Sequence, residues 1–190
     1  MDHHARRGRR VPQIPELTTP RLRLRAFAPQ DVDAYAAMMA DPEVTRYLGD
    51  GRTLTREEAW RQLAVFAGHW ALRGFGLWAV EERTTGTFVG RIGCFEPEGW
   101  PGVELAYTLA RPVWGRGYAR EGAAAALAYA RETLGRRDVI SLIRPANVAS
   151  IRVAEALGAV RDREVEFFGS PALIYRYVPP AGPGGALAER

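Results

Sequence analysis

A glycine-rich turn between an alternating strand and an alanine-rich helix is the feature that most constrains how this chain folds. Residues 103–109 alternate apolar and polar side chains, which is typical of a half-buried strand. The turn of residues 114–119 (WGRGYA) follows, and a helix begins at Ala119 and runs to about residue 134. Main-chain N–H groups in such a turn, together with the positive end of the helix dipole, bind phosphate groups. The pattern therefore predicts an α/β domain with a phosphorylated ligand.

Length and composition exclude several classes of protein. At 190 residues, of which 47% are hydrophobic, the chain is long enough for one domain with a sizeable core. No apolar run approaches the roughly 20 residues of a membrane-spanning helix. Cys94 is the only cysteine, so no internal disulfide forms; we expect a cytoplasmic protein and interpret Cys94 as a packing residue. Two of the three histidines lie at positions 3 and 4, so the spacing predicts no metal site.

The charge balance favours anionic partners. The 26 basic residues, all arginine, exceed the 22 acidic ones, which gives a net charge of +4. Because the arginines are spread along the chain, a phosphate-bearing small ligand is a better candidate partner than RNA. Residues 1–18 are basic and punctuated by proline, and we expect a flexible tail there, with at most a weak association with the ribosome. Residues 179–190, rich in proline and glycine, predict a second flexible tail.

The remaining elements predict a mixed α/β domain over residues 19–178. Periodicity and turn residues place strands at residues 21–25, 76–82, 87–95, 103–109, 139–143, 160–168 and 172–178, and helices at residues 29–39, 55–73, 119–134 and 147–157. A helical crossover joins the fourth of these seven strands to the fifth, so we expect that pair to be parallel. The first half of the sheet is expected to be antiparallel.

Four segments carry a resemblance to a known family: residues 19–25 (TPRLRLR), residues 103–107 (VELAY), residues 114–119 and residues 147–158 (NVASIRVAEALG). In this order and spacing they resemble the GNAT superfamily of acyl-CoA-dependent N-acyltransferases. Within it, the chain is most similar to the RimJ/RimL-like branch of ribosomal-protein N-terminal acetyltransferases. The resemblance implies a GNAT fold, which is a mixed, mostly antiparallel seven-stranded sheet whose parallel fourth and fifth strands (β4/β5) splay apart, flanked by about four helices.

The resemblance also implies acetyl-CoA as the co-substrate, with its pyrophosphate on the glycine-rich turn and its pantetheine arm along the fourth strand. The cofactor-binding residues expected on this basis are Tyr107, Thr108, Leu109, Trp114, Gly115, Arg116, Gly117, Tyr118, Ala119, Arg120, Asn147 and Ser150. The family pattern of the turn begins with Gln or Arg, whereas this chain has Trp114. Because main-chain N–H groups hold the phosphate, we expect the turn to function with Trp114.

Two carboxylates are candidates for the general base that deprotonates an amine. Glu104 is the first, because relatives often carry a carboxylate at this strand position, and Glu166 is the second, on a strand near the expected acceptor entrance; the alternative for each is a solvated strand residue. Ser150 is a candidate proton donor to the leaving thiolate, or a cofactor contact without proton transfer. Many relatives carry a tyrosine at the position of Ala154, so any such proton must come from another group here.

The expected activity is transfer of an acetyl group from acetyl-CoA to a primary amine. The resemblance favours the α-amine of a protein N-terminus, whose pKa of about 7.7–8.0 leaves much of it neutral. A small-molecule amine, metabolite or antibiotic, is an alternative acceptor, and a CoA-binding module with impaired catalysis is a further alternative that Ala154 supports. Trp100, in a loop, is a candidate wall of the acceptor site. Relatives imply a monomer or a homodimer.

Overall fold

A single sheet with helices on both faces forms the computed structural model, which describes residues 13–178. The tails predicted at residues 1–12 and 179–190 lie outside the described residues. The eight strands of the described range are β1 (Leu17–Thr18), β2 (Leu22–Arg25), β3 (Leu77–Glu82), β4 (Phe88–Phe95), β5 (Glu104–Leu109), β6 (Ile140–Ile143), β7 (Ala159–Phe167) and β8 (Ser170–Tyr177). Its five α-helices are α1 (Asp31–Met39), α2 (Pro42–Thr45), α3 (Arg56–Arg73), α4 (Tyr118–Glu132) and α5 (Val148–Ala156), and a 3-10 helix spans Arg111–Val113. None of the described helices is long and apolar enough to cross a membrane.

The sheet confirms the predicted mixed, mostly antiparallel architecture. Its strand order is β1-β2-β3-β4-β5-β6-β8-β7, and every neighbouring pair is antiparallel except β5 and β6. The parallel pair predicted between the fourth and fifth strands is therefore β5/β6, one number higher because β1 precedes the predicted strands. The described structure has one strand and one α-helix more than the seven strands and about four helices that were predicted. β1 and α2 have two and four residues, which is too few to show a hydrophobic period.

The ordered part of the domain begins before residue 19, where the sequence analysis placed its boundary. Leu17 of β1 is the register partner of Leu24 in β2. The indole N–H of Trp78 donates a hydrogen bond of 2.7 Å to the carbonyl of Pro15. The pairing of β1 with β2 and the hydrogen bond to the Pro15 carbonyl attach this proline-punctuated segment to the sheet. The structure of the domain therefore includes residues that the sequence analysis placed in the tail.

Strong local signals define the longest helix, α3. The Thr55 hydroxyl accepts a hydrogen bond of 3.2 Å from the N–H of Glu58, and the Glu58 carboxylate accepts one of 2.9 Å from the N–H of Thr55. This capping box satisfies two N–H groups that a helix start leaves without partners. The helix ends at Gly74, whose φ of 76° lies in the left-handed region that glycine adopts without strain. The predicted helix over residues 55–73 is confirmed.

The parallel strands β5 and β6 separate almost at once. Their register pairs a single position, Glu104 with Ile140. The N–H of Ile140 donates to the carbonyl of Val103 at 2.9 Å, and the Ser141 hydroxyl donates to the carbonyl of Leu105 at 2.7 Å. Along a strand, every second residue directs its N–H and C=O to the same side. Tyr107 therefore directs these groups to the same side as Val103 and Leu105, towards the gap that opens beyond this point. The predicted splay is therefore present.

The strand β5 presents alternate side chains to the two faces of the sheet. Ala106 packs against a core that α1 and α3 cover, whereas Leu105 lies in a core formed with α4. Because side chains alternate along a strand, Glu104 lies on the Ala106 face and Tyr107 on the Leu105 face. The side chains of Glu104 and Tyr107, the predicted base and a predicted co-substrate contact, thus lie on opposite faces of the sheet.

Candidate active site

The glycine-rich turn ends in a helix start with free N–H groups. Gly115 and Gly117 have φ values of 75° and 79°, so the turn needs two residues in the left-handed region. Gly117 is the N-cap residue of α4, and no side chain of the described residues caps this helix. The first-turn N–H groups and the positive end of the helix dipole are therefore available to an anion.

Two residues of the N-terminal motif hold this turn in place. The Arg21 guanidinium donates to the carbonyl of Arg116 at 2.7 Å and lies 4.7 Å from the centre of the Tyr118 ring. The carboxylate of Glu121, in the first turn of α4, accepts hydrogen bonds from the Thr19 hydroxyl at 2.6 Å and from the N–H of Arg21 at 2.8 Å. The conformation of the turn is thus fixed by contacts about 100 residues away in sequence.

A groove of about 570 Å³ runs from this turn along β5 to the start of α5, and we call it the donor groove. Eleven of the twelve predicted cofactor residues line it: Tyr107, Thr108, Leu109, Trp114, Gly115, Gly117, Tyr118, Ala119, Arg120, Asn147 and Ser150. The exception is Arg116, whose guanidinium lies 3.7 Å from the Glu82 carboxylate. The sequence analysis missed the opposite wall, which α2 and the segment after it supply through Val44, Arg46, Tyr47 and Leu48.

A second cavity, of about 270 Å³, adjoins the donor groove along β5, and we call it the acceptor pocket. Its charged lining consists of Arg91, Glu104 and Arg144, and aromatic side chains surround them. The aromatic residues of the lining are Tyr47, Phe66, Phe95, Trp100, Tyr107, Phe167 and Phe168. Tyr47, Leu48, Tyr107, Thr108, Asn147 and Ser150 line both cavities. The donor groove and the acceptor pocket therefore meet where β5 and β6 separate.

Glu104 is the carboxylate inside the acceptor pocket. Burial raises its pKa above the ordinary value for a glutamate, against the hydrogen bond from Trp100 and the positive charge of Arg91. The Trp100 indole N–H donates to Oε2 of Glu104 at 2.7 Å, which fixes the orientation of the carboxylate. Glu166, the second candidate base, is exposed on β7 and lines neither cavity. The geometry places Glu104, and not Glu166, in the lining of the acceptor pocket.

Ser150 forms a hydroxyl pair with Tyr107 across the same junction. The Ser150 Oγ donates to the Tyr107 hydroxyl at 3.0 Å, and that hydroxyl donates to the Ser150 carbonyl, also at 3.0 Å. Asn147 caps α5 by accepting from the N–H of Ser150 at 3.2 Å. Burial raises the pKa of Tyr107 to about 12, so its phenol is protonated at neutral pH. A phenol from β5 therefore lies beside Ser150, although Ala154 leaves α5 without its tyrosine.

Arg144 ties two walls of the acceptor pocket together. Its Nη1 donates to the carbonyls of Phe167 and Ser170 at 2.9 and 2.8 Å, and its Nη2 donates to the carbonyl of Gly49 at 2.7 Å. These bonds join the β7–β8 hairpin to the segment that follows α2. Since charge-assisted hydrogen bonds are the stronger ones, Arg144 restrains how far the two walls separate.

Residues 21–160 match the family model of the acetyltransferase (GNAT) domain. The chain belongs to the GNAT acetyltransferase family. It is 33% identical over 168 residues to the protein YkkB of Bacillus subtilis (strain 168), a match that covers 84% of this chain and 94% of YkkB. The crystal structure of the acetyltransferase from Agrobacterium tumefaciens str. C58 is 34% identical, with a TM-score of 0.79 over 88% of this chain and 96% of that one.

The fold also resembles the ribosomal-protein branch of the GNAT family. The structure of RimL, the ribosomal L7/L12 alpha-N-protein acetyltransferase in complex with coenzyme A, has a TM-score of 0.71 to this chain at 17% identity. The match covers 86% of this chain and 98% of RimL. At this identity the likeness concerns the fold. The family assignment makes the protein an acetyltransferase that uses acetyl-CoA, as the sequence analysis predicted.

Trp100 and Cys94 of this acetyltransferase differ in whether they line a cavity. Trp100 lies in the acceptor pocket, where its ring meets that of Phe167 edge-on at 4.9 Å, so it forms an aromatic wall. Cys94 lines neither cavity, is fully buried, and burial raises its pKa to about 12. A protonated, inaccessible thiol is a poor nucleophile. The position of Cys94 in the core agrees with a packing role.

Proposed function

We propose that this protein transfers the acetyl group of acetyl-CoA to the primary amine of a small molecule bound in the acceptor pocket. The observation that carries the proposal is the junction of two cavities at Tyr107, with the free helix start in one cavity and the buried Glu104 in the other. The tie that Arg144 forms across the pocket walls supports a compact acceptor. The small volume of the pocket supports it as well.

The donor groove suits a CoA thioester in shape and charge. The pyrophosphate fits the free N–H groups at the start of α4, where Arg120 adds a positive charge. The pantetheine arm carries amide groups, and the main-chain N–H and C=O of Tyr107 at the splay can pair with them as an adjacent strand would. The thioester supplies the activated acetyl group.

The reaction releases one proton from the amine and adds one to the leaving sulfur, and a different group of the protein is assigned to each of these transfers. The amine nitrogen forms the new C–N bond and loses one proton, and the C–S bond of the thioester breaks. Glu104 accepts the amine proton directly or through water, because its raised pKa brings its basicity closer to that of the amine. The leaving sulfur takes up one proton, for which the Ser150–Tyr107 hydroxyl pair is the donor. The products are the N-acetyl compound and free CoA.

The protein N-terminus remains the second candidate acceptor. The likeness of the fold to RimL favours it, as did the sequence resemblance. Its α-amine requires the same chemistry at Glu104, so the two candidates differ in the space that the acceptor needs beyond the amine. Because the hydrogen bond from Arg144 to Gly49 joins two walls of the pocket, we expect it to restrict a peptide more than a small amine.

A screen of acceptors by CoA release tests the proposal. Purified full-length protein, acetyl-CoA and a thiol reagent are combined with a panel of small primary amines and with short peptides that have free N-termini. We expect small amines to release CoA at least tenfold faster than peptides. Faster release with peptides would select the second candidate, and tight acetyl-CoA binding without release for any acceptor would contradict both.

A further inference from the structure

The two arginines of the acceptor pocket differ in what they bind. Arg144 donates hydrogen bonds to main-chain carbonyls from both of its terminal nitrogens. Arg91 forms no ion pair within 4.0 Å with any carboxylate of residues 13–178. Its Nε is buried and has no hydrogen-bond acceptor among those residues either. Arg144 is a structural tie, whereas Arg91 has at least one buried donor, its Nε–H, without an acceptor among those residues.

Arg91 is buried and yet has no carboxylate partner among the described residues, which is unusual. Its exposed fraction is 9%, and its guanidinium lies 5.1 Å from the centre of the Phe66 ring. The nearby Tyr35 hydroxyl donates its own proton to Gln62, so its oxygen is a neutral acceptor for the Arg91 guanidinium and does not balance the charge. Buried arginines are normally paired, because an unpaired buried charge is costly. A contact with one aromatic face compensates only part of that cost.

The position of Arg91 points its charge into the acceptor pocket. In the register of β4 with β5, Arg91 lies opposite Thr108, and Glu104 lies four residues before Thr108 on the same face. Four strand residues span about 13 Å between Cα atoms, and two long side chains shorten the distance between the charges. The pocket thus has a positive group towards one end and a negative group towards the other.

We infer that Arg91 binds a carboxylate of the acceptor, so that the substrate is a primary amine that also bears a carboxylate group. This inference rests on the proposed function, since it concerns the same pocket. A planar guanidinium pairs with a carboxylate through two parallel hydrogen bonds, which satisfies the donors that the protein leaves free. Glu104 at the other end attracts the ammonium group, so the two charges orient the acceptor with its nitrogen towards the proposed base.

Paired substrates test the inference in the wild-type protein. The probes are a series of straight-chain amino acids, from glycine to the homologue with four more methylene groups between amine and carboxylate, and a set of L-α-amino acids. Each probe is compared with its own carboxamide. We expect a value of kcat/KM for the best carboxylate about 10- to 100-fold above that of its carboxamide, as a charge-assisted hydrogen bond provides. Turnover of amines without preference for the carboxylate would overturn the inference and leave the proposed function intact.

Variants of Arg91 assign the preference to this residue. Arg91→Met retains an apolar side chain over Phe66 but removes the charge, so we expect it to abolish the carboxylate preference with the KM for acetyl-CoA unchanged. Arg91→Lys should retain a part of the preference, because it keeps the charge without the planar fork. Arg137→Gln, which removes an exposed arginine that lines neither cavity, is the matched control and should retain all of it. A preference that persists in Arg91→Met would contradict the inference.

A thermal-shift measurement gives a readout that does not depend on catalysis. Straight-chain monocarboxylates, which lack the amine, should raise the melting temperature of the wild type and of Arg137→Gln, but not that of Arg91→Met. The same experiment reports whether each variant is folded. A shift of equal size in Arg91→Met overturns the inference, and so does a stronger preference for aminophosphonates than for amino acids in the CoA-release assay. Carboxylate shifts combined with no CoA release from any amine would contradict the proposed function alone.

Discussion

The donor groove and the acceptor pocket share six lining residues but are built in different ways. The donor groove draws on a continuous stretch from Tyr107 to Arg120 and on the start of α5, and its turn binds through main-chain groups. The acceptor pocket is lined by side chains from α3, β4, β5, β6 and the β7–β8 hairpin. Main-chain geometry follows from local sequence, whereas a set of converging side chains depends on the whole fold. The donor site can therefore be recognised in a sequence, and the acceptor site cannot.

The largest effect should come from a change to the main chain of the donor groove. Gly117→Val places a β-branched side chain at a φ of 79°, which such residues rarely adopt. The strain is about 1–3 kcal/mol, and the displaced N–H groups lose their hydrogen bonds to phosphate. We expect kcat/KM for acetyl-CoA to fall about 10³-fold, mainly through KM, as measured by steady-state CoA release.

A matched glycine separates this effect from general destabilisation. Gly135 follows α4, has a φ of 66°, and lines neither cavity. Gly135→Val should lower the melting temperature by a similar amount and leave the KM for acetyl-CoA within twofold of the wild type. Equal losses of acetyl-CoA affinity in the two variants would show that the turn has no special part in donor binding.

The next largest effect on the rate should come from Glu104 in the acceptor pocket. Glu104→Gln removes the base but retains the shape and the hydrogen bond from Trp100, so kcat should fall about 100-fold. Because a base acts when it is deprotonated and burial raises the pKa of Glu104, the wild-type rate should decline as pH falls through a pKa above the usual glutamate range. The variant should lose this acidic limb, which a pH profile of kcat at saturating acceptor measures, because kcat reports ionisations in the enzyme–substrate complex.

Glu166 provides the control for that experiment. It is a carboxylate on β7 that is exposed and lies outside the lining of both cavities. Glu166→Gln should keep both the rate and the pH profile of the wild type. Loss of the acidic limb in Glu166→Gln, with Glu104→Gln unaffected, would reverse the assignment of the base.

A smaller effect is expected at the junction of the two cavities. Tyr107→Phe and Ser150→Ala each break the hydroxyl pair, and each should lower kcat about tenfold while changing the KM of either substrate less than threefold. The double variant should be little worse than the single ones, because the two hydroxyls act as one unit. Effects that simply multiply in the double variant would mean that the two hydroxyls act independently.

The smallest effect concerns the support of the acceptor pocket. His69 packs against Phe95, accepts a hydrogen bond from the N–H of Glu96, and its other ring nitrogen lies 2.7 Å from the carbonyl of Phe75, which fixes a neutral ring. Burial lowers its pKa below 6.5. The unfolded chain therefore binds a proton more readily as pH falls below 6.5, and the free energy of unfolding decreases as pH falls towards the folded pKa.

Urea titrations between pH 7.5 and 5.5 measure this loss of stability. The decrease should be absent in His69→Gln, because that side chain does not titrate. If the wild type and His69→Gln lose stability in parallel over this range, His69 is not the group responsible. A loss of stability that depends on His69 would show that a residue packed behind the acceptor pocket responds to pH, which distinguishes this pocket from the donor groove.

Local chemistry explains which parts of the fold were predictable. The capping box at Thr55, the glycines of the turn at residues 114–119 and the crossover between β5 and β6 each act within a short stretch of chain or follow a general rule of connection. These elements were predicted at or near their observed bounds. The short strand β1 was missed because its order comes from pairing with β2 and not from its own residues.

Long-range contacts explain what could not be predicted at the site. The phenol beside Ser150 comes from Tyr107, 43 residues earlier, and only the packing of α5 against β5 brings the two together. The charge of Arg91 in the acceptor pocket depends on the register of β4 with β5, which the sequence does not display. The Arg116 guanidinium lies beside Glu82, a contact that its place in the motif does not reveal, and its predicted role in cofactor binding stays a prediction.

The most direct test of the division between donor groove and acceptor pocket uses Glu104→Gln. Calorimetry gives the Kd of acetyl-CoA, and a single-turnover experiment at saturating acetyl-CoA gives the rate of acetyl transfer to the best amine. We expect a Kd within twofold of the wild type and a transfer rate at least about 100-fold lower at pH 7. An unchanged rate, or a Kd weakened as much as the rate, would contradict the assignment of donor binding to the donor groove and of amine activation to Glu104 in the acceptor pocket.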